Sequence, residues 1–158
     1  MNVTLICVGK LKENYLTDAV NEYQKRLKKF CNFKIIELAD EKTSSLNETG
    51  KNDLVKEKEG KRILEKIPEG AFVYALAIDG KQYSSEGFSE LIEKNMMYSS
   101  NFVWIIGGSL GLSDEVLNRA NAKVSFSKMT FPHQLMRVIF LEQLYRSFTI
   151  LNNIAYHK

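Results

Sequence analysis

Three stretches of this chain are almost continuously apolar: residues 3–8, 71–78 and 102–106. A strand with one wet face alternates apolar and polar side chains, and these do not. Such runs are strands buried on both faces, which is the habit of parallel sheets covered by helices on either side. Between them lie segments of helical period. Tyr15, Leu16, Ala19, Tyr23, Leu27 and Phe30 recur at steps of three and four, which predicts one inward helical face. The chain of 158 residues therefore reads as an α/β protein, a mostly parallel sheet flanked by helices, in one domain covering residues 1–158.

Residues 33–38 predict a second strand, and residues 124–126 a last one. Residues 40–52 are polar and aperiodic and predict a loop. Residues 54–67 predict a charged helix stopped by Pro68 and Gly70. Asp79-Gly80 reads as a turn closing the 71–78 strand. Ser84 or Ser85 is placed to cap a helix with Phe88, Leu91, Ile92 and Met96 facing inward. Ser113 is placed to cap a short helix begun by Asp114 and Glu115. Pro132 opens the final helix.

Composition narrows the function. Cys7, Cys31, His133 and His157 are the only Cys and His residues, too few and too scattered for a structural zinc site, so no metal is expected. No apolar run reaches the roughly 18 residues that span a bilayer. The N-terminus lacks the basic start of a signal peptide, so a reduced cytoplasmic protein without a membrane is expected. The net charge of +3 is modest, but its distribution is uneven. Residues 123–158 hold Lys123, Lys128, Arg137, Arg146 and Lys158 against the single acid Glu142. That asymmetry points to an anionic partner near the C-terminal third. The cluster Lys25, Arg26, Lys28 and Lys29 reads as a solvated helix face rather than a site.

Open parallel sheets bind ligands beyond the carboxyl ends of their strands. Three such ends carry suitable residues: Leu76 to Gly80, Ile106-Gly107-Gly108-Ser109-Leu110-Gly111, and Phe126-Ser127-Lys128-Met129-Thr130-Phe131-Pro132. Glycines there let a ligand approach the backbone. Their order, G-G-x-x-G after a late strand, is not the dinucleotide fingerprint, and no G-K-[ST] of a phosphate loop exists. His133 opens the last helix and titrates near neutrality. Arg137 and Glu142 lie on a helix otherwise rich in apolar residues, where a structural ion bridge is an alternative role. The tail Tyr156-His157-Lys158 combines ring and charge, as base-stacking, phosphate-holding segments do.

These motifs together resemble the ribosomal RNA large subunit methyltransferase H family of the SPOUT class. The resemblance rests on the glycine loop 106–112, on Phe126 through Arg137, on Glu142-Gln143-Leu144-Tyr145-Arg146 and on the tail. Val8-Gly9-Lys10-Leu11-Lys12 and Tyr23-x-x-Arg26-Leu27 also fit, so it spans essentially the whole chain. It implies a C-terminal trefoil knot, a homodimer, and transfer of a methyl group from S-adenosylmethionine to N3 of a pseudouridine in 23S rRNA, within the ribosome. It implies a cofactor pocket of Leu76, Gly107, Gly108, Phe126, Ser127, Lys128, Met129, Thr130 and Phe131. His133, Arg137, Tyr156 and His157 are the expected catalytic groups. A nucleotide-binding oxidoreductase and a non-catalytic RNA-binding module are the alternatives.

Overall fold

The computed structural model describes residues 1–42 and 49–158. The apolar runs form strands β1 (Asn2–Val8), β3 (Phe72–Gln82) and β4 (Asn101–Ile106), joined by β2 (Asn32–Leu38) and β5 (Ala122–Ser125). All ladders are parallel, in the order β2-β1-β4-β3-β5. Five helices connect them: α1 (Asn14–Leu27), α2 (Thr49–Leu64), α3 (Ser85–Met96), α4 (Asp114–Arg119) and α5 (His133–Leu151).

The continuous apolarity of the strands has the expected cause. Along β1, Val3, Leu5 and Cys7 enter one core with Phe88 of α3 and Phe140, Leu141 and Leu144 of α5. The intervening Ile6 and Val8 enter a second core with Ile63 of α2 and Val116 of α4. Helices α1, α3 and α5 thus cover one face, and α2 and α4 the other. Each fully buried Leu, Ile or Phe contributes roughly 1.5–3 kcal/mol. Trp104 anchors the first core, stacked on Tyr74 with ring centroids 3.9 Å apart. Cys7 and Cys31 are buried free thiols; burial raises Cys7 to about 12 and Cys31 to about 11.

Serine caps hold where expected. Ser84 accepts from the Gly87 N–H and Ser113 from the Val116 N–H. Several boundaries differ from the sequence reading. Helix α2 begins at Thr49, inside the segment read as a loop, and ends at Leu64; residues 43–48 of that loop lie outside the described residues. A helix's first turn can be solvated, so it needs no apolar periodicity. Tyr15 and Met96 are 70% and 43% exposed, so the inward faces of α1 and α3 are narrower than predicted. Helix α5 buries Leu141, Leu144 and Phe148 in its own core.

Asp79-Gly80 is not a turn that ends β3. The strand bulges between Leu76 and Lys81, both of which face Val124 of β5 in the register, and then resumes to Gln82. A Cβ on Gly80 would stand 2.7 Å from the Val124 backbone. The glycine serves close packing against β5, not chain reversal. Among the described residues, no helix is long and apolar enough to cross a membrane.

Candidate functional site

The β3 bulge and the carboxyl ends of β4 and β5 open into one cleft with a volume of about 830 Å³. That is within the range of roughly 300–1,000 Å³ typical of small-molecule sites. Its three walls are the three predicted strand ends. The β3 bulge supplies Leu76 and Asp79; the loop after β4 supplies Gly107, Gly108 and Leu110; the segment after β5 supplies Phe126, Ser127, Met129, Thr130 and Phe131. His133 and Met136 of α5 close one side. Lys128 is exposed and outside the lining.

Local chemistry sets each wall. The glycine loop folds back on itself: the Gly111 N–H donates to the Gly108 carbonyl at 3.1 Å, and Gly111 has a φ of +83° that favours glycine. A Cβ on Gly107 would lie 2.9 Å from Leu112 Cδ2 and 3.0 Å from the Gly111 backbone, so this turn closes only around glycine. Behind it, Gly108 leans on the buried Glu59 of α2, whose carboxyl is raised chiefly by burial. In the third wall, Ser125 Oγ donates to the Ser127 carbonyl at 2.9 Å. Ser127 Oγ then accepts from the Met129 N–H at 2.9 Å. These two bonds curl the segment around the cleft and leave Met129 74% exposed at its rim.

His133 is half-buried beside the β1 terminus; its Nε2 would lie 3.5 Å from a Cβ placed on Gly9. Burial, and then the Arg137 guanidinium, lower its pKa. The imidazole is therefore neutral at physiological pH and able to accept a proton. Arg137 lies outside the cleft lining, 1% exposed. Its Nη1 donates to Glu37 at 2.7 Å and its Nη2 to the Gly9 and Val8 carbonyls at 2.7 and 3.2 Å.

Tyr156 and His157 also lie outside the cleft lining. They form a separate cluster on α5. The Tyr156 hydroxyl donates to Glu142 Oε1 at 3.1 Å, and the Arg146 guanidinium lies 4.7 Å from the Tyr156 ring centroid. Burial, with hydrogen bonds to Tyr23 and Glu142, pushes the Tyr156 phenol up to about 12. Arg146 pairs with Glu142 at 2.5 Å and reaches His157 Nδ1 at 3.2 Å. A guanidinium can only donate, so Nδ1 accepts and Nε2–H donates to Glu86 at 2.8 Å. The sequence offered Arg137 and Glu142 as bridge formers. The fold pairs each with another residue, Glu37 and Arg146. Leu117 of the cleft lies in none of the strand ends or motifs singled out in the sequence; Asp79, Leu110 and Met136 lie within them but are not among the named pocket residues. Its strand-end position is the signal that marks Asp79 as a wall residue.

The parallel sheet with its ligand-sized cleft along three adjacent strands suits a cofactor-binding α/β enzyme. The family described as "Predicted SPOUT methyltransferase" matches residues 1–157. Solved structures share the fold. The A. aeolicus TrmH/SpoU tRNA modifying enzyme superposes with a TM-score of 0.53 at 14% identity, over 95% of this chain and 77% of that one. A probable methylase family protein from Haemophilus influenzae Rd KW20 gives 0.50 at 10% identity, over 96% and 66%. Fold and cleft thus define a methyltransferase of the SPOUT class.

Among curated relatives, the ribosomal RNA large subunit methyltransferase H of Clostridium acetobutylicum is 55% identical over the full length of both chains. That of Clostridium novyi is 56% identical, again over all of both. The chain belongs to the ribosomal RNA large subunit methyltransferase H family. Membership sets aside the oxidoreductase and the non-catalytic RNA-binding module.

Proposed function

We propose that the protein transfers a methyl group from S-adenosylmethionine to N3 of a pseudouridine in 23S rRNA, and works as a homodimer on the ribosome in the cytoplasm. The observation that carries the reading is the cleft itself, whose volume and lining suit an adenosine-bearing ligand. Leu76, Phe126 and Phe131 supply apolar walls for a purine, and the backbone around Gly107, Gly108 and Ser127 supplies its polar partners. Met129 and Thr130 stand at the rim, with Lys128 exposed beside them. The trefoil knot implied by the class falls in these C-terminal segments.

S-adenosylmethionine, when bound, supplies an electrophilic methyl group on a sulfonium. The chain's own task is to align the acceptor nitrogen and remove its proton. His133, neutral and at the cleft wall, is the proton acceptor in this account. Arg137 acts through it, by fixing the β1 terminus and keeping His133 neutral. Tyr156 and His157 stack on and hydrogen-bond the target nucleotide, with Arg146 at its phosphate. Their absence from the cleft lining motivates a composite site, with one subunit's tail serving its partner's cleft. Leu135 and Ile139, two of the apolar residues that α5 leaves unburied, belong to the dimer contact.

Calorimetric titration with S-adenosylmethionine, S-adenosylhomocysteine and NAD tests the pocket. The first two bind and NAD does not; NAD binding alone rejects the reading. Heterodimers of a Gly107→Val subunit and a subunit lacking residues 156–158 test the composite site. Activity absent from both homodimers returns in the mixed dimer. A confirmed mixed dimer without activity places tail and cleft in one chain.

A further inference from the structure

The tail is docked on its own chain. Helix α5 ends at Asn153, whose φ of +52° lies in the left-handed region. The Asn153 N–H donates to the Ile150 carbonyl at 3.1 Å and the Ile154 N–H to the Thr149 carbonyl at 2.9 Å, the paired bonds of a Schellman turn. The turn folds the tail back along α5, so that the Tyr156 ring meets Tyr145 with centroids 4.9 Å apart and its hydroxyl meets Glu142. The first turn of α3 holds the same region twice. Ser85 Oγ donates to Gln143 Oε1 at 2.8 Å, and Glu86 Oε1 accepts from His157 Nε2 at 2.8 Å. The Glu86 carboxylate is itself fixed: its own backbone N–H, then His157, then the Ser84 hydroxyl hold its carboxyl below the usual range.

Arg146 Nη1 donates to Nδ1 of His157 and Glu86 takes the proton of Nε2, so both ring nitrogens are occupied. The side chain is nonetheless 28% exposed. What it offers outward is a ring held at both edges. We propose that Glu86 is a positioning residue for the reaction: it holds His157 so that the imidazole meets an RNA base with its ring and takes no part in proton transfer. The proposal rests on the reading of the protein as an rRNA methyltransferase whose tail meets the target nucleotide, and it narrows the part of His157 there to stacking. A base stacks on a ring of fixed orientation, and a ring near a chain end has to be ordered on binding unless contacts order it beforehand. Glu86 supplies such a contact from 71 positions away in sequence. An incidental surface pair would not account for the second clamp on the same ring from Arg146, nor for the Ser85–Gln143 bond beside it.

Methylation kinetics on ribosomes lacking the modification test the role. Glu86→Ala removes the acceptor, while Glu86→Gln keeps an amide oxygen for the Nε2–H. Glu86→Ala raises KM for the ribosome about two- to five-fold, the weight of an exposed pair, and leaves kcat unchanged. Glu86→Gln stays near the wild type. His157→Phe keeps a ring without nitrogens and raises KM no more than Glu86→Ala does, whereas His157→Gln, which has no ring, raises it further. Adding Glu86→Ala to His157→Phe changes nothing more, because the partner is already gone. Every variant binds S-adenosylhomocysteine as the wild type does, since the cleft lining includes neither residue. An unchanged KM in Glu86→Ala, an effect of Glu86→Ala that persists beside His157→Phe, or a His157→Phe variant as impaired as His157→Gln overturns the proposal. A wild type that methylates no rRNA overturns the methyltransferase reading and the proposal with it; the other three results, in an active wild type, strike the proposal alone.

Discussion

Arg137 Nη2 donates to the carbonyl of Gly9 at 2.7 Å, tying the last helix to the end of the first strand across 128 positions of sequence. Gly9 has a φ of +87°, so the chain turns sharply there, beside His133. The guanidinium also donates to Val8 and Glu37, while its Nε is buried without a partner. A charge held this deeply persists because its bonds fix the backbone on which His133 leans.

Replacing Arg137 with Met keeps much of the volume but leaves the Val8 and Gly9 carbonyls unpaired. The expected loss is about 3 kcal/mol. Arg137→Lys keeps the charge but cannot serve both carbonyls and Glu37, and costs about 1–2 kcal/mol. Glu37 is 37% exposed, so its ion pair adds little. Urea denaturation measures both; an Arg137→Met loss under about 1 kcal/mol contradicts this role.

His133 should titrate below the ordinary histidine value of 6.5, because burial and Arg137 both disfavour its charged form. Above 6.5 the imidazole is neutral in folded and unfolded chains and contributes nothing to the pH dependence of stability. Below 6.5 the unfolded chain takes up the proton first, so stability falls with pH until the folded value is reached. The chain has two histidines, so His157→Gln leaves one imidazole signal to follow by NMR. A midpoint at or above 6.5 refutes the assignment. His133→Gln should remove this part of the acid loss of stability.

The cleft was legible because its walls begin where the apolar runs stop, after Ile78, Ile106 and Phe126. What lay hidden depended on partners far along the chain. Gly80 looks like half of a turn until β5 is seen packing against its missing Cβ. Arg137 and Glu142 share a helix, yet their partners lie 100 residues and one turn away. The inward face of α5 is hard to read because both the own core and the remaining surface carry apolar residues, which erases the period. The row that joins Tyr23 and Arg26 of α1 to Tyr145 and to Tyr156 of the tail is a product of helix packing, and no local pattern encodes it.

Gly107→Val should abolish cofactor binding in a protein that still folds, since the added Cβ meets Leu112 and the Gly111 backbone within the loop rather than the sheet core. S-adenosylhomocysteine at 100-fold excess over its Kd stabilises the wild type by about 2.7 kcal/mol. The variant should show a cooperative thermal transition that the ligand does not move. An equal ligand shift in a folded variant removes the glycine loop from the site.

The central claim is the reaction, and nucleoside analysis tests it most directly. Purified protein, S-adenosylmethionine with an isotopically labelled methyl group, and ribosomes from cells lacking the modification are incubated together. The 23S rRNA is then digested and its nucleosides are resolved by mass spectrometry. The account predicts label in N3-methylpseudouridine, and none when the protein carries Gly107→Val. Label confined to another nucleoside, or no label in rRNA from a wild-type protein that binds S-adenosylmethionine, would contradict it.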